Sequence, residues 1–167
     1  QMTKAAKKNP ENNKKYYYQA FGMKIVSPIL LPELKPDPDF SPGFGLPDVV
    51  ITLGKVPGDT GGARENKRYY QGEKDQLIFR IEHVGSYQIK GGREIVMEPA
   101  EHGEIQEIRL FLLGSAFGAL LWQRGILPMH GSAVKTKESC FIITGARKAG
   151  KSTLASAFVQ DGHEIIT

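Results

Sequence analysis

The 167 residues include a single cysteine, Cys140, so no disulfide can form within the chain. No Cys/His cluster has zinc-ligand spacing, which argues against a structural metal and fits a reducing compartment. No apolar run approaches the ~20 residues that span a bilayer, and the polar, lysine-rich first residues lack a secretory apolar segment. These absences predict a cytoplasmic protein with no membrane partner. Aromatic residues make up only 9%, yet the 40% hydrophobic content suffices for one ordinary core or two small ones, which argues against disorder throughout.

The net charge is +4, and much of the excess sits in Lys4, Lys7, Lys8, Lys14 and Lys15. A disordered, solvated basic tail over residues 1–15 explains it better than a nucleic-acid groove, so no nucleic-acid partner is expected. Gln1 ahead of Met2 predicts that Met2 is the native start. Cys140 lies in an apolar run and reads as a small buried hydrophobe.

Residues 16–102 read as a β-rich N-terminal domain. Short β-type runs at Tyr16–Phe21, Val49–Leu53, Leu77–Ile81, Tyr87–Ile89 and Glu94–Met97 are broken by glycine and proline, which predicts a mainly antiparallel sheet. Lys90-Gly91-Gly92-Arg93 has hairpin-turn composition. Pro32–Pro47, with its five prolines, and the glycine-rich, charged stretch Pro57–Lys67 read as loops.

After Pro99 the apolar period changes. Ile105, Ile108, Phe111, Leu112, Ala116, Phe117, Leu120 and Trp122 recur at helical spacing up to Arg124-Gly125, predicting a helix over Gly103–Gln123 within a connecting segment 103–126. Its apolar residues cover more than one face, and Gly114, Ser115, Ala116, Gly118 and Ala119 permit close approach, so burial between the two halves of the chain is expected. Residues 127–167 then read as strand (Met129–Val134), strand (Cys140–Thr144), helix (Lys151–Gln160) and strand (Glu164–Thr167), ending in a βαβ unit. The predicted class is α+β for the first half and α/β of the P-loop type for the second.

The chemistry concentrates between the second strand and the helix. Gly145-Ala146-Arg147-Lys148-Ala149-Gly150-Lys151-Ser152 matches the phosphate-loop pattern, in which glycines let successive backbone N–H groups wrap a phosphate at a helix N-terminus. Lys151 would reach the β and γ phosphates of ATP, the Ser152 hydroxyl would complete Mg²⁺ coordination, and Thr153 would support the first helical turn. The apolar strand before Gly145 and the helical pattern after Ser152 supply the context this motif needs. Arg147 and Lys148 add charge inside the loop, either as solvated positions or as further contacts to phosphate or a protein substrate. His130 lies at a strand start fifteen residues before Gly145, either as a structural histidine or as part of the same site. His83, His102 and His163 have no partner constellation.

Leu127-Pro128-Met129-His130-Gly131-Ser132-Ala133-Val134, the phosphate-loop motif and Asp161-Gly162-His163-Glu164-Ile165-Ile166-Thr167 together resemble the HPr serine kinase/phosphorylase family. The relatives that phosphorylate lasso-peptide precursors look closer still. The resemblance spans about Tyr16 to Thr167 and is specific from Phe111 onward. It implies that ATP phosphorylates a serine of a protein or peptide, with Gly145, Gly150, Lys151 and Ser152 holding phosphate and Mg²⁺ and with His130 near the reacting phosphoryl group.

In that family the strand matching Glu164–Thr167 runs into an acidic pair that supplies the general base and a metal contact, so this resemblance implies an incomplete nucleotide-binding region over 127–167, inactive alone. Strands missing from the sheet would leave an uncovered edge or face, which predicts self-association or a complementing C-terminal chain. Two other readings remain: a nucleotide- or peptide-binding module without catalysis, and a small-molecule phosphotransferase of the carboxykinase type.

Overall fold

The structure, a computed structural model, describes residues 14–40, 45–58, 63–65, 68–73, 75–146 and 148–166. The predicted basic tail, apart from Lys14 and Lys15, lies outside the described residues, as do much of the 57–67 loop, Arg147 and Thr167. The protein is mixed α and β, and it divides into two compact units, 1–126 and 127–167.

The first unit is built on one nine-stranded sheet: β1 (Tyr16–Ala20), β2 (Met23–Ser27), β3 (Lys35–Pro36), β4 (Val49–Leu53), β5 (Ala63–Glu65), β6 (Arg68–Glu73), β7 (Gln76–Ile81), β8 (Gly85–Lys90) and β9 (Glu94–Pro99). Their order is β3-β1-β2-β4-β9-β8-β7-β6-β5. β4 runs parallel to both its neighbours, β2 and β9, and every other pairing in this sheet is antiparallel.

The Lys90–Arg93 turn forms as its glycines require: Gly91 and Gly92 have φ of 54° and 62°, and Arg93 N–H donates to Lys90 O at 3.0 Å. β2 was not anticipated. It follows β1 after only Phe21-Gly22, a turn with φ of 54° and 70° in which phenylalanine takes the place that asparagine usually holds. The Phe21 ring lies 6.0 Å from that of Phe117, a contact that favours this arrangement.

The predicted helix is helical from Ile105 to Gln123 in three parts: α1 (Ile105–Phe111), a π-helical stretch (Leu112–Ala116) and α2 (Phe117–Gln123). It belongs to the first unit. Ile108, Leu112, Ala116, Phe117, Leu120 and Leu121 join Tyr18, Ile25, Val49, Ile51, Phe79, Tyr87, Ile89, Ile95 and Met97 in one core cluster. Within this unit, Leu110 and Trp122 point away from that cluster and are 66% and 68% exposed. Contrary to the sequence expectation, Ile105–Gln123 is by length and composition apolar enough to cross a membrane, while its inner face packs as a core helix does.

Polar contacts fix the helix to the sheet. The Tyr87 hydroxyl donates to Ile108 O at 2.9 Å, Gly92 N–H donates to Gln123 Oε1 at 2.8 Å, and the Arg124 guanidinium donates to Gly92 O at 2.8 Å. Burial pushes the Tyr87 phenol well above the usual tyrosine range. The helix stops where Arg124-Gly125 predicts: Ile126 N–H donates to Leu121 O and Gly125 N–H to Trp122 O, the two bonds of a Schellman cap. Elsewhere, Glu98 accepts from the Lys55 ammonium at 2.6 Å and from Val56 N–H at 2.8 Å, and these donors hold its carboxyl below the usual range.

The second unit contains β10 (Gly131–Lys135), β11 (Cys140–Thr144), α3 (Lys151–Gln160) and β12 (Glu164–Ile165), with sheet order β11-β10-β12. β10 is antiparallel to both neighbours, so β11 and β12 run parallel to one another with β10 between them. The expected β–α–β succession is therefore split by an inserted strand. α3 packs on the face carrying Phe141 and Val134: the Phe141 and Phe158 rings are 5.1 Å apart at 70°, while Val134 and Ala155 are buried. On the other face Ile142 is 48% exposed. Cys140 is also exposed, correcting the expectation of a buried thiol, because it opens edge strand β11 opposite Lys135, on the face away from α3.

Candidate functional site

The site is assembled within the second unit by the junction of β11 and α3. β11 ends at Thr144, and the chain then takes positive φ at Gly145 (155°), Lys148 (66°) and Gly150 (83°) before entering α3. Ala149 N–H donates to Ala146 O at 3.2 Å, closing a four-residue turn with Lys148 at its third position. Gly150 is the N-cap of α3 with no side-chain cap, and the first helical bond is donated by Leu154 to Gly150 O at 2.9 Å. The amides of Lys151, Ser152 and Thr153 thus stand at the positive end of the helix, ahead of its hydrogen-bond ladder.

Lys151 turns back over the loop. Its ammonium donates to Gly145 O at 2.9 Å and to Ala146 O at 3.0 Å, bridging the first two residues of the motif from the first residue of the helix. Ser152 and Thr153 are exposed at the first turn, and Ser152 O accepts from the Ser156 hydroxyl at 2.9 Å. Lys148 is exposed.

His130 immediately precedes β10. Gly131 pairs with Thr144, so extending the register by one residue sets His130 opposite Gly145, at the entrance to the loop. The imidazole is exposed. The structure therefore brings together Gly145, Ala146, Lys148, Ala149, Gly150, Lys151, Ser152 and Thr153 as one turn and helix start, with His130 beside it. Arg147 lies outside the described residues.

Two features were not read from the sequence. One is the Lys151 bridge. The other is Gly131: a Cβ there would stand 2.7 Å from Ile143 O and 2.8 Å from Ile142 Cγ2, so only glycine lets β10 lie this close to β11 beside the loop. The His-Gly pair marked the place, but glycine in a strand carries no signal of which neighbour it admits.

Among the described residues there is no group of three or more His, Cys, Asp or Glu able to hold a metal ion. The donor that this loop offers a hard cation is the hydroxyl of Ser152, which fits Mg²⁺ bound chiefly through nucleotide phosphates and water. No protein-family model, curated protein or solved structure matches the chain.

Proposed function

We propose that the loop Gly145–Thr153 holds the phosphates of Mg²⁺-bound ATP and that the protein belongs to an ATP-dependent serine kinase resembling the HPr kinase family. The observation that carries this reading is the conjunction of motif and conformation. The Gly145–Ser152 pattern lies between a strand and a helix, with left-handed turns at Lys148 and Gly150 and with Lys151 at the helix start. Such a loop presents backbone N–H groups, the positive end of a helix and an ammonium to one anion.

Under this reading the amides from Ala149 to Thr153 bind the phosphate chain, and Lys151 exchanges its two carbonyl acceptors for β- and γ-phosphate oxygens. Ser152 contributes a hydroxyl to Mg²⁺, which when bound neutralises charge on the phosphates. His130, at the loop entrance, lies against the γ-phosphoryl group. The reaction moves that phosphoryl group from ATP to a serine oxygen, breaking the bond to the ADP oxygen and releasing the hydroxyl proton. The acceptor class is a protein or peptide, such as HPr or a lasso-peptide precursor, and the setting is the cytoplasm. The resemblance over Phe111–Thr167 supports this acceptor class.

The test is transfer of labelled γ-phosphate from ATP to serine in a protein or peptide acceptor, with the complementing C-terminal chain that carries the acidic pair supplied. Transfer that requires Lys151 and Mg²⁺ is the expected result. Transfer unaffected by Lys151→Ala would sink the proposal.

A further inference from the structure

Three non-glycine residues have left-handed backbone in the described structure: Phe21, His83 and Lys148. All three lie in turns. Phe21 occupies the β1–β2 turn and packs near Phe117, while His83 and Lys148 hold the same third position of turns closed by Val84 N–H to Ile81 O at 3.1 Å and by Ala149 N–H to Ala146 O at 3.2 Å. What sets Lys148 apart is its place inside the phosphate-loop motif. Its φ is 66° at the third position of the Ala146–Ala149 turn, where glycine is the residue without a Cβ penalty. Its side chain is exposed, and no hydrogen bond or ion pair engages it among the described residues.

The second ammonium of the loop is in the opposite condition. Lys151 is held by Gly145 O and Ala146 O and must leave both carbonyls before it can contact a ligand. The loop thus carries one tethered ammonium and one untethered, solvent-exposed one, three residues apart.

We propose that Lys148 is the cation that first meets the incoming phosphates and sets the association rate of the nucleotide, whereas Lys151 engages afterwards and sets its retention. This rests on the phosphate-loop reading above. A solvent-exposed ammonium acts on a polyphosphate through a screened, longer-range attraction, which raises the on-rate and makes it salt-dependent. A cation that must first break two hydrogen bonds acts on the bound complex and hence on the off-rate.

The experiment is stopped-flow binding of N-methylanthraniloyl-ATP with Mg²⁺ to the full chain across a series of salt concentrations. Lys148→Gln should slow association by roughly fivefold at low salt and flatten its salt dependence, with dissociation unchanged. Lys151→Ala should speed dissociation instead. Lys148→Gly should show the same slow association but melt at a higher temperature than Lys148→Gln, because glycine also relieves the left-handed backbone. If Lys148→Gln leaves the on-rate and its salt slope unchanged while Lys151→Ala speeds dissociation, the role of Lys148 is overturned and the phosphate loop stands. If the unmodified chain binds no nucleotide analogue, both fall together.

Discussion

Lys151, the first residue of α3, donates from its ammonium to the carbonyl oxygen of Gly145 at 2.9 Å, across the full span of the loop that separates β11 from the helix. With the companion bond to Ala146 O at 3.0 Å, one side chain closes the turn on itself. The bridge is exposed, so each bond adds little to global stability. Its effect is local order.

Lys151→Ala is therefore expected to raise amide exchange from Ala146 to Gly150 while changing the unfolding free energy by less than about 1 kcal/mol. Exchange by mass spectrometry checks the first part and urea unfolding the second. Unchanged exchange in the loop would remove the bridge from the account.

Gly131→Ala places a methyl group 2.7 Å from Ile143 O, and backbone rather than a flexible side-chain end must yield. The expected cost is about 1–3 kcal/mol, confined to the second unit. Urea unfolding followed by exchange of the β10 and β11 amides measures it. A variant as stable as the parent would mean that the two strands can separate freely, and His130 would then have no fixed place beside Gly145.

Tyr87→Phe removes a buried hydroxyl that donates to Ile108 O at 2.9 Å and leaves that carbonyl without this donor. The first unit should lose about 1–2 kcal/mol. The phenol is held neutral by burial, so its contribution is full below the ordinary tyrosine value of 10.0 and is lost as pH rises beyond it. Tyr87→Phe should accordingly flatten the alkaline limb of the stability profile, as read by denaturant midpoints across pH.

Glu98 predicts the acid limb. Its carboxyl is held below the ordinary 4.5 by Lys55 and by Val56 N–H, so its stabilising contribution is present above that value and is lost as pH falls through the lowered one. Glu98→Gln should reduce the stability of the first unit near neutrality and remove part of its loss in acid. An acid limb identical in the variant contradicts the assignment.

How much of this was legible in the residues follows from which forces act locally. The Lys90–Arg93 turn, the Arg124-Gly125 helix stop and the β11–loop–α3 succession were readable because each depends on backbone preferences of adjacent residues. β2 was missed because Phe21 stands in a turn position that favours asparagine and is held there near Phe117, almost a hundred residues away. The parallel pairing of β4, and the insertion of β10 between β11 and β12, depend on long-range pairing that leaves no mark on either strand alone. Cys140 shows the same limit, since an apolar run does not reveal whether its strand becomes an edge. The candidate site was legible as a motif, but the closeness of Gly131 to Ile143 and the return of Lys151 to Gly145 and Ala146 required the structure.

The most direct test of the central claim is calorimetric titration of the protein with Mg²⁺ and ATP beside its Lys151→Ala variant. Saturable binding that weakens by at least about tenfold in the variant is the predicted result, in line with loss of charge-assisted contacts to phosphate. Absence of binding by the unmodified protein, or equal binding by both, would contradict the assignment of Gly145–Thr153 as a nucleotide-phosphate site.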